Sequence, residues 1–132
     1  MEIIDNIPSV VYHATFLPLL PEIKQYGLVP GGRSHAGFKS WNVIKGVYLG
    51  DDPEYVGSLI EDAPDVPEDW LDKIYIISIN SSKLNKKYLN RDPQMKLSPE
   101  EQSDPNMPKA YIYTSIIPIS YFTGIKKGSY HW

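Results

Sequence analysis

The sequence predicts an α+β fold in one domain spanning residues 1–132, and three observations predict it. Roughly five short runs rich in β-branched and aromatic residues are spread along the chain. Two helical patterns fall between the early runs, and the second half is strand-rich. That order suits a bent antiparallel or mixed sheet with helices on its outside. A chain of 132 residues with 42% apolar content suits a single domain and buries a core without staples.

Taken in order, Ile7 to Tyr12 reads as the first strand. Pro8 lies near its start, where a missing N–H is tolerated. Thr15 is placed as N-cap of a helical stretch from Phe16 to Tyr26, whose residues Phe16, Leu19, Leu20, Ile23 and Tyr26 share one face. Pro18 suits a first turn, and Pro21 argues for a start only there. Gly27 ends the helix. Leu28 to Ser40 is a loop holding Pro30, Gly31, Gly32 and Gly37 with Arg33, His35 and Lys39. Such a loop suits either backbone approach to a phosphate or plain solvation.

Val43 to Leu49 reads as the second strand. Asp51 or Asp52 then caps a helix with Pro53 at its first position and Glu54 in its first turn. Tyr55, Val56, Leu59 and Ile60 form its apolar side, and Pro64 and Pro67 stop it soon after Glu61. Trp70 and Leu71 pin an acidic, Pro-rich stretch to the core. Ile74 to Asn80 is the clearest strand. Ser81 to Pro108 reads as irregular, with Leu84, Tyr88 and Leu89 folding onto the core in a helical turn or two. Lys109 to Ser115 is a further strand. Ile116 to Ile125, broken by Pro118, turns into the last one.

Composition removes several chemistries. The absence of cysteine excludes a disulfide framework, a thiolate nucleophile and a Cys-based zinc site. His13, His35 and His131 do not fall at ligand spacing, so no metal is expected. No phosphate-binding Gly-x-Gly-x-x-Gly or Walker motif and no Gly-x-Ser-x-Gly elbow is present. A net charge of −3 and a pI of about 5.5 argue against broad charge-driven nucleic-acid binding. No apolar stretch reaches the ~20 residues that span a bilayer, and the N-terminus lacks signal-peptide character. No membrane association and a cytoplasmic location are expected. The acidic pairs Asp51-Asp52, Glu61-Asp62 and Glu100-Glu101 read as caps or solvated surface.

His13 stands at the end of the first strand, and alternation puts it on one face with Thr15, with Tyr12 and Ala14 on the other. From these residues alone His13 is equally a ligand contact or a buried histidine bonded to a neighbouring carbonyl.

Three stretches in order resemble the ADP-ribosyltransferase fold family, which includes the poly(ADP-ribose) polymerases, the diphtheria-toxin-like enzymes and the RNA 2′-phosphotransferases. They are Tyr12-His13-Ala14-Thr15, the helix exit Ile23-Lys24-Gln25-Tyr26-Gly27-Leu28, and Gly46-Val47-Tyr48-Leu49 followed by a helix bearing Tyr55 and Ser58. The resemblance covers residues 10 to 61 and continues beyond them only in strand order. It implies two facing, mostly antiparallel sheets with a central cleft and peripheral helices. It implies NAD as cofactor and transfer of ADP-ribose to an unknown protein or nucleic-acid acceptor. His13 would bond a ribose hydroxyl, Ala14 would hold the nicotinamide amide through its backbone, and Thr15 would bond near the adenosine side. Tyr48 would line the nicotinamide pocket, Ser58 would bond the carboxamide, Tyr55 would stack on the ring, and Arg33 would lie near the phosphates. The family's third motif begins with a glutamate, and Ala110 stands at that position in Lys109-Ala110-Tyr111-Ile112-Tyr113. Glu100 or Glu101 in the preceding loop would have to supply the carboxylate, and Glu101 is the catalytic candidate. Family members without the glutamate include weak mono-transferases, non-catalytic nucleotide or protein binders, and the RNA 2′-phosphotransferases. The expected function is therefore NAD-dependent mono-ADP-ribosyl transfer, with the binding module and the phosphotransferase as alternatives.

Overall fold

The computed structural model describes residues 7–30, 46–61, 67–70, 72–91 and 109–128. Its longest ladder joins two seven-residue strands, β1 (Val10–Phe16) and β3 (Ile74–Asn80). They pair antiparallel from Val10 opposite Asn80 to Phe16 opposite Ile74. Both are rich in β-branched and aromatic residues, which suit a pleated surface packed on both sides. Between them come α1 (Leu20–Tyr26), β2 (Val47–Gly50) and α2 (Pro53–Glu61); after them come β4 (Leu89–Arg91), β5 (Ala110–Tyr113) and β6 (Phe122–Lys127).

The six strands form one sheet in the order β4-β5-β2-β1-β3-β6, with every neighbouring pair antiparallel. The α+β class is therefore as the sequence predicts. The middle of the sheet is its weakest join. Among the described residues, β1 and β2 pair at Tyr12 opposite Gly50 and nowhere else, whereas β2 and β5 pair along all four residues of each. The sheet thus consists of two three-stranded halves meeting at a seam.

Alternation sends Val11, Val47, Leu49, Ile77, Ile79, Tyr111 and Tyr113 to one face. There Leu20 and Ile23 of α1, with Leu28, Leu84, Leu89 and Ile117, complete the larger core. The opposite face carries Ala14, Phe16, Ile74 and Ile76 against Val56 and Ile60 of α2. Trp70 packs there on Phe16, with ring centroids 5.6 Å apart. At Gly50 a Cβ would overlap Val56 Cγ1, so the absence of a side chain lets α2 approach β2 closely.

Two local devices fix the connections. Gly27 adopts φ 78° and donates its N–H to Ile23 O at 2.8 Å, closing α1. The turn delivers Leu28 to Ile117, with which it exchanges backbone hydrogen bonds of 3.0 and 2.9 Å. At α2, Asp52 rather than Asp51 is the cap, its Oδ1 accepting the Glu54 N–H at 2.9 Å. Asp51 instead clamps β5: its Oδ1 accepts the Lys109 N–H at 2.8 Å and its own N–H donates to Lys109 O at 3.1 Å.

Three expectations need correction. The first strand runs on to Phe16, so Thr15 is a strand residue and caps nothing; full pairing with β3 outcompetes the local helix signal. Leu17–Leu19 forms a single 3-10 turn, and α1 begins only at Leu20, with Pro21 in its first turn. The stretch after β3 makes the expected helical turns, at Ser81–Lys83 and Lys86–Tyr88, each opened by an asparagine side chain accepting a backbone N–H, but Leu89–Arg91 is then strand β4 where irregular chain was expected. The expected loop around Arg33, the Leu59 side chain, Leu71 and Glu100-Glu101 lie outside the described residues. Among the described residues no helix is long and apolar enough to cross a membrane.

Candidate functional site

The seam between β1 and β2 is where the sequence motifs converge. His13 is buried at 3% exposure, and its Nδ1 lies 2.8 Å from the carbonyl oxygen of Tyr48. A carbonyl only accepts, so Nδ1 carries the hydrogen and donates it. The neutral ring therefore has Nε2 as its acceptor, the atom that would take a hydrogen from a hydroxyl. This bond replaces ladder pairing with a side-chain clasp between the two halves. It also matches the buried-histidine alternative, since the ring is held by a neighbouring carbonyl.

Thr15 lies on the same face, one side-chain step along β1. It is 1% exposed, and its Oγ1 is buried with no hydrogen-bond partner. A buried hydroxyl without a partner is a desolvated polar group whose presence needs an explanation. Beside it on the seam, Ala14 pairs with Ile76 of β3 but with nothing on β2.

The other candidates fall on the α2 face. Tyr48 contributes its carbonyl to His13, while alternation between the core residues Val47 and Leu49 turns its side chain towards α2. Tyr55 packs against the smaller core there. The Ser58 hydroxyl donates to the Tyr55 carbonyl at 2.7 Å, a bond within its own helix. His13 and Thr15 thus stand together on one face, with Ala14 on the opposite face of the same strand and Tyr48, Tyr55 and Ser58 on that opposite face across the seam. Arg33 and Glu101 lie outside the described residues. Ala110 is 4% exposed, sits opposite Gly50, and belongs to the α2 face. The β5 residue that shares a face with His13 is Tyr111.

Sequence reading passed over a polar group on that face. Leu49 pairs with Tyr111, and Tyr111 pairs with Arg91. With His13 next to Leu49 across the seam, one cross-strand row holds Arg91, Tyr111, Leu49 and His13. Burial pushes the Tyr111 phenol up to about 12; the Asp51 carboxylate adds to the rise and the Arg91 guanidinium opposes it. Tyr113, two residues on, is also raised, first by burial, although the Asn85 N–H donated to its oxygen at 3.0 Å works the other way. The signal that would have found this group was alternation along β5 from a known core residue. Among the described residues no group of three or more His, Asp or Glu side chains could hold a metal ion.

No protein-family model matches this chain, and a search of curated proteins also returns no match.

Proposed function

We propose that this chain is an NAD-binding domain of the ADP-ribosyltransferase type, transferring a single ADP-ribose to an acceptor. The observation that carries the reading is the seam. The Tyr12-His13-Ala14-Thr15 motif lies on the strand where the sheet comes apart, and Thr15 presents a buried hydroxyl there without a partner. In this reading β4-β5-β2 and β1-β3-β6 are the two facing sheets, and the seam opens into the cleft between them.

Bound NAD would supply the ADP-ribosyl group, with nicotinamide as the leaving group. The chain's own residues position it. His13, its ring oriented by the Tyr48 carbonyl, meets a ribose hydroxyl. Thr15 gains the hydrogen bond it lacks, and the β1 backbone at Ala14 meets the carboxamide. Tyr48 takes part through its carbonyl, while Tyr55 and Ser58 stand on the opposite face and take no part; the resemblance gives Arg33 to the phosphates and Glu101 as the carboxylate that Ala110 is not. Burial strengthens these contacts by excluding water, and fixed geometry lowers the barrier to transfer.

One observation favours a second reading, a binding module on the same fold. Alanine at residue 110 leaves β5 without a carboxylate at the family's position. The two readings separate on calorimetry with NAD and ADP-ribose and on label transfer from labelled NAD. Transfer that is lost in Glu101→Gln supports the enzyme. Binding weakened about tenfold or more by His13→Ala, with neither transfer nor NAD hydrolysis, leaves the module. Absence of binding by either nucleotide overturns both, and release of phosphate from a 2′-phosphorylated oligonucleotide moves the assignment to the phosphotransferases.

A further inference from the structure

Arg91 ends the edge strand β4, opposite Tyr111. Its Nε and Nη1 are buried, and neither has a hydrogen-bond partner. Both are N–H donors of a cationic group, and each is able to meet an oxygen of a phosphate or carboxylate. Arginine cannot relieve burial by losing its proton, so the charge stays. Asp51, the carboxylate whose charge reaches Tyr111, is engaged with the Lys109 N–H. Tyr111, whose side chain leaves the sheet on the same face, adds a phenol that remains a hydrogen-bond donor through the neutral range.

We propose that Arg91 and Tyr111 form an oxyanion subsite for a phosphate or diphosphate group, at the β4 edge of the sheet. The guanidinium N–H groups donate to phosphate oxygens with charge assistance, and a neutral phenol donates to another without adding charge. The Asp51 carboxylate acts on Tyr111 and opposes an anion approaching from its own side. Three strand spacings separate Arg91 from His13 along their shared row, about 14 Å at the usual inter-strand distance. The subsite therefore stands apart from the seam and does not depend on the nucleotide reading. A ligand reaching both would need to be extended, with its phosphate at one end of the row.

The chain has two arginines, Arg33 and Arg91, so their Nε–H resonances in ¹H–¹⁵N spectra are assigned by one substitution. Titration of wild-type protein with inorganic pyrophosphate should move the Arg91 Nε–H signal saturably. Arg91→Gln should weaken pyrophosphate binding about tenfold or more, with Arg91→Lys between the two because it keeps the charge and loses the planar set of N–H donors. His13→Ala should leave pyrophosphate affinity within twofold, which separates this subsite from the seam. Parallel titrations with adenosine and AMP distinguish a nucleotide phosphate from free pyrophosphate: a response to AMP without one to adenosine places a nucleotide's phosphate on Arg91. A wild-type Arg91 Nε–H that does not respond to pyrophosphate overturns the proposal, whether or not the variants fold. So does an Arg91→Gln variant that folds and binds pyrophosphate as tightly as wild type.

Discussion

Thr15 sets stability against binding at a single atom. Its Oγ1 has given up water and gained no partner, which costs the folded state. Thr15→Val keeps the shape and removes the oxygen, so it should raise stability by about 1 kcal/mol in chemical denaturation. The same change should weaken NAD or ADP-ribose in calorimetry. A variant that is both less stable and unchanged in binding would show that the hydroxyl has a structural use instead. Tyr111 makes a second prediction at this scale, from its rise above 10.0 to about 12. Below 10.0 the phenol is protonated in folded and unfolded chains alike, and its contribution is fully present. As pH rises from there to about 12, the unfolded chain releases the proton while the folded chain keeps it, so stability falls. Denaturation on either side of 10.0 should show this fall, and Tyr111→Phe should lessen it.

Among the elements, α1 depends on how it ends. Gly27 has φ 78° and ψ −166°, a region open in practice to glycine alone. A Cβ there would also lie 2.5 Å from Ile117 O, the oxygen that accepts the Leu28 N–H. Gly27→Ala should therefore cost roughly 1–3 kcal/mol of backbone strain, together with the Leu28–Ile117 bridge. Thermal or denaturant unfolding measures the sum, and a neutral result would mean the turn relaxes elsewhere. This glycine was legible in the sequence because it follows an apolar helical face directly. Ile74–Asn80 was legible for a similar reason, since seven consecutive residues carry their own strand pattern. β4 was not, because three residues, Leu89–Arg91, hold no period and become a strand only by pairing with β5. Thr15 misled because a hydroxyl before a helical pattern looks like a cap, whereas the seven-pair ladder to β3 decides its backbone. The candidate site divides the same way. His13 and Thr15 were readable as neighbours from alternation within one strand, but Arg91 and Tyr111 join them only through the register of three ladders.

For the whole molecule, the unequal joins within the sheet predict unequal motion. β3 is flanked on both sides, by β1 along its full length and by β6 along most of it. β1 and β2 share one ladder position and the His13–Tyr48 clasp. Local opening should follow the weaker join, since few backbone bonds must break to part the two halves. Amides of β3 should accordingly exchange slowest with solvent hydrogen, and the β2 amides that face β1 should exchange faster despite being central in the sheet. If the seam is the ligand cleft, NAD or ADP-ribose spans it and resists its opening, because a ligand that binds the closed arrangement stabilises that arrangement. Exchange at the seam should then slow on adding ligand while β6, an exposed edge, is unchanged. Pyrophosphate, held at the β4 edge, should protect β4 and β5 and leave the seam as it was. Protection by NAD that appears only at β4 would place the nucleotide at Arg91 and remove His13 from the site.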